Sequence, residues 1–325
     1  MTRREMVRRA VYITGGTASA ATALVALGCA PAATPTAVPA PTNTTAPIPT
    51  NTVAAAAKPA AEAAKPAAGA AKPTPAPPAT PTGPRSPLAV KPDDPAIDGK
   101  AVEFAGEAGK VFGYLARPKA TGTYPGLIVI HENRGLVPHI QDVARRAAKE
   151  GYVALAVDLL SRNGGSEKVT DPAQVGGMLG QAKPDDLVAD LSSGVKFLQS
   201  QDGVKKDRIG AFGFCFGGGY TWRLAVGNRE IRAAVPFYGP APPVEMVPNT
   251  NAAILGIYAE NDTRINASIP PLEEALKKAG KTYEIKVYPG VNHAFHNDTG
   301  ASWSEKVSLD AWQATFAWFK KHLAT

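Results

Sequence analysis

From Ala101 onward the hydrophobic positions switch between a strand-like and a helix-like period. Ala101–Glu107 and Val111–Arg117 read as a hairpin pair turned near Gly109. Gly126–Ile130 is a short, continuous apolar run, the pattern of a strand buried on both faces. Ile140–Glu150 is helical and stops at Gly151. Tyr152–Val157 is a second buried strand, ending at Asp158. Residues 161–183, rich in Gly, Ser and Asn, read as a loop over one end of the sheet, and Asp185–Gln201 as an amphipathic helix. Then come strand Arg208–Phe212, a helix beginning near Phe216, and strands Ile231–Tyr238 and Ala253–Tyr258. Helix Ile269–Ala279, strand Thr282–Tyr288 and a helix from about Ser304 to His322 close the chain. Strands alternating with helices predict an α/β fold: a mostly parallel central sheet flanked by helices. In such sheets ligand sites form beyond the carboxyl ends of the strands. Glu132, Asp158, Cys215, Asp262 and His293 all fall just after an expected strand.

The first third of the chain has no such pattern. Of 325 residues, those between Ala30 and Pro95 hold 17 of the 30 prolines, and no aromatic residue occurs between Tyr12 and Phe104. So few large apolar groups cannot offset the entropy of ordering a backbone, so the composition predicts a disordered, Ala/Pro/Thr-rich tether over residues 29–95. Residues 96–325 remain for one α/β domain. The charge divides at the same place. Residues 1–95 hold nine of 35 basic and four of 28 acidic residues, leaving 26 against 24. The basic excess therefore belongs to the leader and tether, and the domain gives no reason to expect nucleic acid.

Residues 1–28 have a basic start, an apolar middle and a small-residue end, as secretory signals do. A transmembrane anchor is the alternative, but the Gly, Thr and Ser in Ala10–Gly28 make a weak span. The pair Arg3-Arg4 resembles a twin-arginine export signal. Ala26-Leu27-Gly28-Cys29 resembles a lipobox, although the usual Leu three residues before the cysteine is replaced by Ala26. The expectation is an exported lipoprotein attached through Cys29, with ordinary cleavage nearby as the alternative. Membrane contact would then come only through the signal or the lipid.

Gly213-Phe214-Cys215-Phe216-Gly217 follows a strand and opens a helix, the G-x-nucleophile-x-G elbow with Cys in place of the commoner Ser. The tight turn needs small flanking residues and holds the nucleophile clear of the backbone. A thiol there lies near unpaired N–H groups and the positive helix end, which favour thiolate. A buried cysteine in a glycine-rich packing turn is the competing reading. Elbow hydrolases place nucleophile, acid and base in that chain order at strand ends. Asp262 and His293 fall where that order needs them. Asp262 could instead cap the next helix, and His293 could be a loop residue in solvent. Of the five histidines, His296 is the close competitor for the base, while His322 reads as part of a solvated face. The loop His131-Glu132-Asn133-Arg134-Gly135 stands where elbow hydrolases find their second oxyanion donor, so the backbone N–H groups of Phe216 and Asn133 are the expected pair. Glu132 could take the thiol proton or hold Arg134.

Together His131–Gly135, Asp158-Leu-Leu-Ser-Arg162, Gly213–Gly218, Asn261-Asp262 and His293-Ala-Phe295 resemble the dienelactone hydrolase (carboxymethylenebutenolidase) family, from about Ala101 to Leu323. The resemblance implies an α/β-hydrolase fold without a large cap domain, a Cys-Asp-His triad and no cofactor. It assigns Cys215 as nucleophile, His293 as base and acid, Asp262 as its orienting group, and Glu132 as a carboxylate that helps deprotonate the thiol. It assigns Arg162 to a substrate carboxylate. The second arginine expected after the catalytic histidine is missing from His293–Gly300; Arg264 and Arg134 are the alternatives. An anion clamp with one arginine should hold a carboxylate less well. The expected activity is hydrolysis of a small-molecule ester or lactone through a Cys215 acyl-enzyme. A carboxylesterase or thioesterase without a carboxylate requirement and a non-catalytic surface lipoprotein are the rivals. No H-x-x-x-H or C-x-x-C pair suggests a metal.

Overall fold

The structure, a computed structural model, describes residues 83–323. The signal segment, Cys29 and most of the expected tether lie outside the described residues.

Eight strands form one sheet in the order β1-β2-β4-β3-β5-β6-β7-β8. β1 (Ile97–Gly106) and β2 (Gly109–Pro118) are an antiparallel hairpin, and β2 runs antiparallel to β4 (Val153–Val157). β3 (Tyr124–Ile130), β5 (Val204–Phe214), β6 (Ile231–Phe237), β7 (Ala253–Ala259) and β8 (Tyr283–Tyr288) all run parallel, with β4 among them. The chain leaves β3 toward β4 on one side and returns to β5 on the other. Such a switch opens a crevice at the carboxyl ends of the two central strands.

Helices cover both faces. α1 (Pro138–Lys149) lies on one face together with α7 (Glu305–Leu323), and α3 (Pro184–Ser200), α4 (Phe216–Gly227) and α6 (Ile269–Lys278) lie on the other. This explains the unbroken apolar runs: Leu127–Ile130 and Val153–Val157 are completely buried. Phe212 of β5 makes edge-on contacts with Trp312, Phe316 and Phe319 of α7, fixing that helix to the centre of the sheet.

Three expectations change. Residues 161–183 are not a plain loop: they contain three short 3-10 turns and the helix α2 (Val175–Gln181), whose Val175 and Leu179 are buried one turn apart. β5 begins at Val204 rather than Arg208, because Tyr124 pairs with Val204 ahead of a register shift. The packed chain also begins before residue 96. Ser86 and Val90 are buried; the Val90 N–H donates to Asp142 (2.7 Å), and Arg145 Nε donates to the Val90 carbonyl (2.7 Å). Those contacts use backbone groups more than apolar area, so proline-rich composition conceals them. Among the described residues no helix is long and apolar enough to cross a membrane.

Candidate active site

At the end of β5 the chain turns through Cys215 with φ 56° and ψ −114°, and α4 starts at the next residue. A non-glycine residue in this region stores strain of about 1–3 kcal/mol and persists only where its surroundings fix it. Here both sides are fixed: the Cys215 N–H donates to the Phe237 carbonyl (3.1 Å), and the Gly219 N–H donates to the Cys215 carbonyl (3.2 Å). A side chain at Gly217 would collide with the carbonyls of Ile130 and His131, and one at Gly218 with that of Phe237. The glycines let the start of α4 press onto the end of β3. That contact brings the elbow against the His131–Gly135 loop.

Asp262 follows β7 and precedes the single-turn helix α5 (Thr263–Asn266); His293 follows β8. Their side chains meet, His293 Nδ1 to Asp262 Oδ2, at 2.5 Å. The loops carrying them are tied by Asn261 Nδ2 donating to Asn292 Oδ1 (3.0 Å) and by the Asn261 N–H donating to the Val291 carbonyl (3.1 Å). His296, the competing histidine, is almost wholly buried and stacks on Phe214 and Trp312, with ring centroids 4.9 and 5.7 Å apart. Burial, with Arg146 and His139 adding to it, pushes its pKa down to about 3. It is a neutral core residue, and the acidic partner belongs to His293. His322, expected on a solvated face beside Lys320 and Lys321, is half-buried, its ring 4.5 Å from that of Trp318.

Glu132 is buried and accepts a hydrogen bond from Asn297 Nδ2 (2.5 Å). Burial raises its pKa, opposed by His139, Asn297 and Arg134. Cys215 is pushed up to about 11, first by burial and then by the charge of Glu132, while the Phe216 N–H and Arg264 pull the other way. The expectation that the helix end would favour thiolate is therefore corrected: desolvation and a neighbouring carboxylate outweigh it. His131 is buried, and its burial keeps it neutral. Its Nδ1–H donates to the Glu132 carbonyl (2.6 Å) and its Nε2 accepts from the Leu159 N–H (3.0 Å), roles assigned from those partners. It thereby fixes the loop that offers the Asn133 N–H.

Arg162 is not brought to this cluster. Its Nε and Nη2 bind the Asp190 carboxylate of α3 at 2.9 and 3.0 Å, Nη2 also reaches the Asp186 carbonyl (3.1 Å), and Nη1 pairs with the Asp186 carboxylate (3.2 Å). A bidentate pair with buried Asp190 thus engages the guanidinium that the sequence assigns to a substrate carboxylate. Asp158 is also structural: it accepts from the Ser166 N–H (2.6 Å), Ser166 Oγ (2.7 Å) and the Leu160 N–H (3.0 Å). Of the arginines, Arg134 acts on Glu132 and Arg264 on Cys215.

Two residues of the cluster carry no motif of their own. Tyr238, in the strand-end segment Phe237-Tyr238-Gly239, has φ 35°, and its ring centroid lies 4.9 Å from that of His293. Its hydroxyl is buried without a hydrogen-bond partner. Asn297 is recognisable only by its bond to Glu132. Among the described residues no group of three or more His, Cys, Asp or Glu is placed to hold a metal.

A strained cysteine at the turn after the central strand, an aspartate after β7 and a histidine paired with it after β8 fit the α/β-hydrolase fold. The sequence profile of the "Dienelactone hydrolase family" matches residues 111–323. A protein of Escherichia coli strain K12 named "Putative carboxymethylenebutenolidase" is 35% identical over 253 residues, covering 73% of this chain and 93% of its own. A Salmonella typhi protein of the same name is 34% identical over 252 residues, covering 74% and 93%. The crystal structure titled "Putative Dienelactone Hydrolase", from Klebsiella pneumoniae, superposes with TM-score 0.65 at 33% identity, covering 70% of this chain and all of that one. The chain belongs to the dienelactone hydrolase family and is a hydrolase acting on ester or lactone bonds.

Proposed function

We propose that the protein cleaves a small-molecule ester or lactone through an acyl-enzyme on Cys215. The observation that carries this reading is the 2.5 Å bond between His293 and Asp262, formed beside an elbow that holds Cys215 at φ 56°. With Nδ1 engaged by Asp262, Nε2 of His293 is the nitrogen left for the thiol. Because the resting thiol is neutral, it loses its proton only as substrate arrives. Glu132, itself made more basic by burial, eases that transfer to His293. The sulfur then bonds the carbonyl carbon, and the N–H groups of Phe216 and Asn133 hold the oxyanion. Collapse breaks the C–O bond, and His293 returns the proton to the leaving oxygen. Water then gives a proton to His293 and attacks the acyl carbon. The C–S bond breaks and the thiolate recovers its proton. Cys215→Ala should abolish turnover of an activated ester while leaving the melting temperature unchanged; retained turnover would sink the reading.

The commitment of Arg162 to Asp190 favours a second reading of the substrate, an ester that carries no carboxylate. Arg162→Ala should then reduce hydrolysis of neutral and carboxylate-bearing esters equally. A selective loss on the carboxylate-bearing ester would restore the anion-holding role. The leader, with Arg3-Arg4 and Cys29, supports export and attachment by lipid to the outer side of the cytoplasmic membrane.

A further inference from the structure

Asn297 and Asp298 are adjacent but serve two different networks. Asn297 donates to Glu132, the carboxylate beside Cys215. Asp298 is fully buried, and its carboxylate meets Arg146 Nη2 (2.8 Å) and His139 Nδ1 (3.0 Å). The same carboxylate also accepts the N–H of Ser86 (2.9 Å), a residue more than 200 positions earlier. Arg85, next to Ser86, donates from Nε to the Asp298 carbonyl (2.8 Å) and from Nη2 to the Gly300 carbonyl; its guanidinium lies 4.7 Å from the Trp303 ring. Four residues later the chain is fastened again, Val90 to Asp142 and Arg145. Arg146 binds both Asp142 and Asp298, so the two fastenings belong to one ion-pair network.

We propose that Arg85–Val90 is a positioning strap for the active-site loop, holding residues 297–300 so that Asn297 keeps Glu132 beside Cys215. The proposal rests on the cysteine-hydrolase reading only for the role of Glu132. Within its own turn, Asn297 is held by Thr299, whose N–H and Oγ1 both bond Asn297 Oδ1, and by the Gly300 N–H on its carbonyl. Those bonds shape the turn but do not place it against the sheet. The strap does, together with the Arg146 and His139 contacts to Asp298 and the Ser304 N–H and Ser308 Oγ bonds to the Phe295 carbonyl. Without the strap, the Asp298 and Gly300 carbonyls lose their Arg85 partner, the outer end of the turn tilts, and the Asn297–Glu132 bond lengthens. A misplacement of about 1 Å caused by a residue remote from the chemistry can cost about 100-fold in rate. Arg85 and Ser86 are thus positioning residues.

The test uses the full chain carrying Arg85→Ala, with Arg85→Lys as the conservative variant. Two readouts are followed: kinetics on an activated ester, and the pH profile of Cys215 labelling by iodoacetamide. The groups facing that thiol are Glu132, Asp262 and Arg264. Arg85→Ala should lower kcat about tenfold with KM changed less than twofold. It should also move the labelling midpoint to lower pH, because Glu132 leaves the thiol, and Arg85→Lys should recover part of both effects. An unchanged kcat and an unchanged labelling profile would overturn the strap, as would a loss of melting temperature without either change. Cys215→Ala run alongside separates the two failures: if it stays active the cysteine mechanism falls, while the labelling profile still reports whether the strap places Glu132.

Discussion

At the scale of single residues, environment separates groups of the same chemical type. His293 and His296 are three positions apart, yet one is partly exposed and paired with Asp262, and the other is stacked in the core. Asp262→Asn should lower kcat by about 10³–10⁴, since the carboxylate orients the ring and stabilises its charged form. His296→Ala should lower kcat less than tenfold but cost about 3 kcal/mol of stability by leaving a cavity. Ester kinetics and denaturant titration check the pair, and a reversed result would move the base to His296. Glu132→Gln removes the negative charge that raises the thiol most. The Cys215 labelling midpoint should then fall relative to the unsubstituted protein while kcat also falls, and a rise in the midpoint would contradict the electrostatic assignment. The sequence makes Cys215, Asp262 and His293 legible because each is a reactive type at a strand end. Tyr238 and Asn297 are not, because a phenol and an amide acquire their roles only from what the fold sets beside them. Arg162 misleads for the same reason, since nothing near it in sequence announces Asp190.

At the scale of elements, the contact between the start of α4 and the end of β3 assembles the site. Gly217→Ala must push the helix off the Ile130 and His131 carbonyls. It should cost about 3 kcal/mol or more and remove most of the activity, measurable by thermal melting and ester turnover. Strands β3 and β4 are readable as apolar runs because helices cover both faces. The start of β5 and the helix α2 are less so. Lys205-Lys206-Asp207 interrupts the apolar pattern at a register shift, and the glycines around Val175 and Leu179 hide a helical pair.

At the scale of the whole molecule, the fold is stapled by a buried charge network linking the strap, α1 and the His293 loop. Burial alone would raise the Asp298 carboxyl, but His139, Arg146 and the Ser86 N–H hold it well below the ordinary value of 3.8. A carboxyl lowered by folding contributes stability that is complete above its unfolded pKa and is lost as pH falls toward the folded one. Asp298→Asn should therefore destabilise the protein at pH 7 and flatten the loss of melting temperature below pH 4, and a parallel acid limb in the variant would refute this. In cells, Cys29→Ala should move the protein from the membrane to the soluble fraction without changing kcat if the lipid proposal is right. Residues 86–90 pack although their composition reads as tether, because they are held by polar backbone contacts, to which hydrophobic patterning is blind. The buried elbow has one more consequence. With burial and Glu132 pushing the Cys215 thiol up to about 11, the neutral thiol predominates at pH 7, and peroxides oxidise the thiolate. The proposed cell-surface setting has no cytosolic reductants, so Cys215 in its proposed role, protonated until substrate arrives, would be shielded from sulfenic and sulfinic acid formation between turnovers.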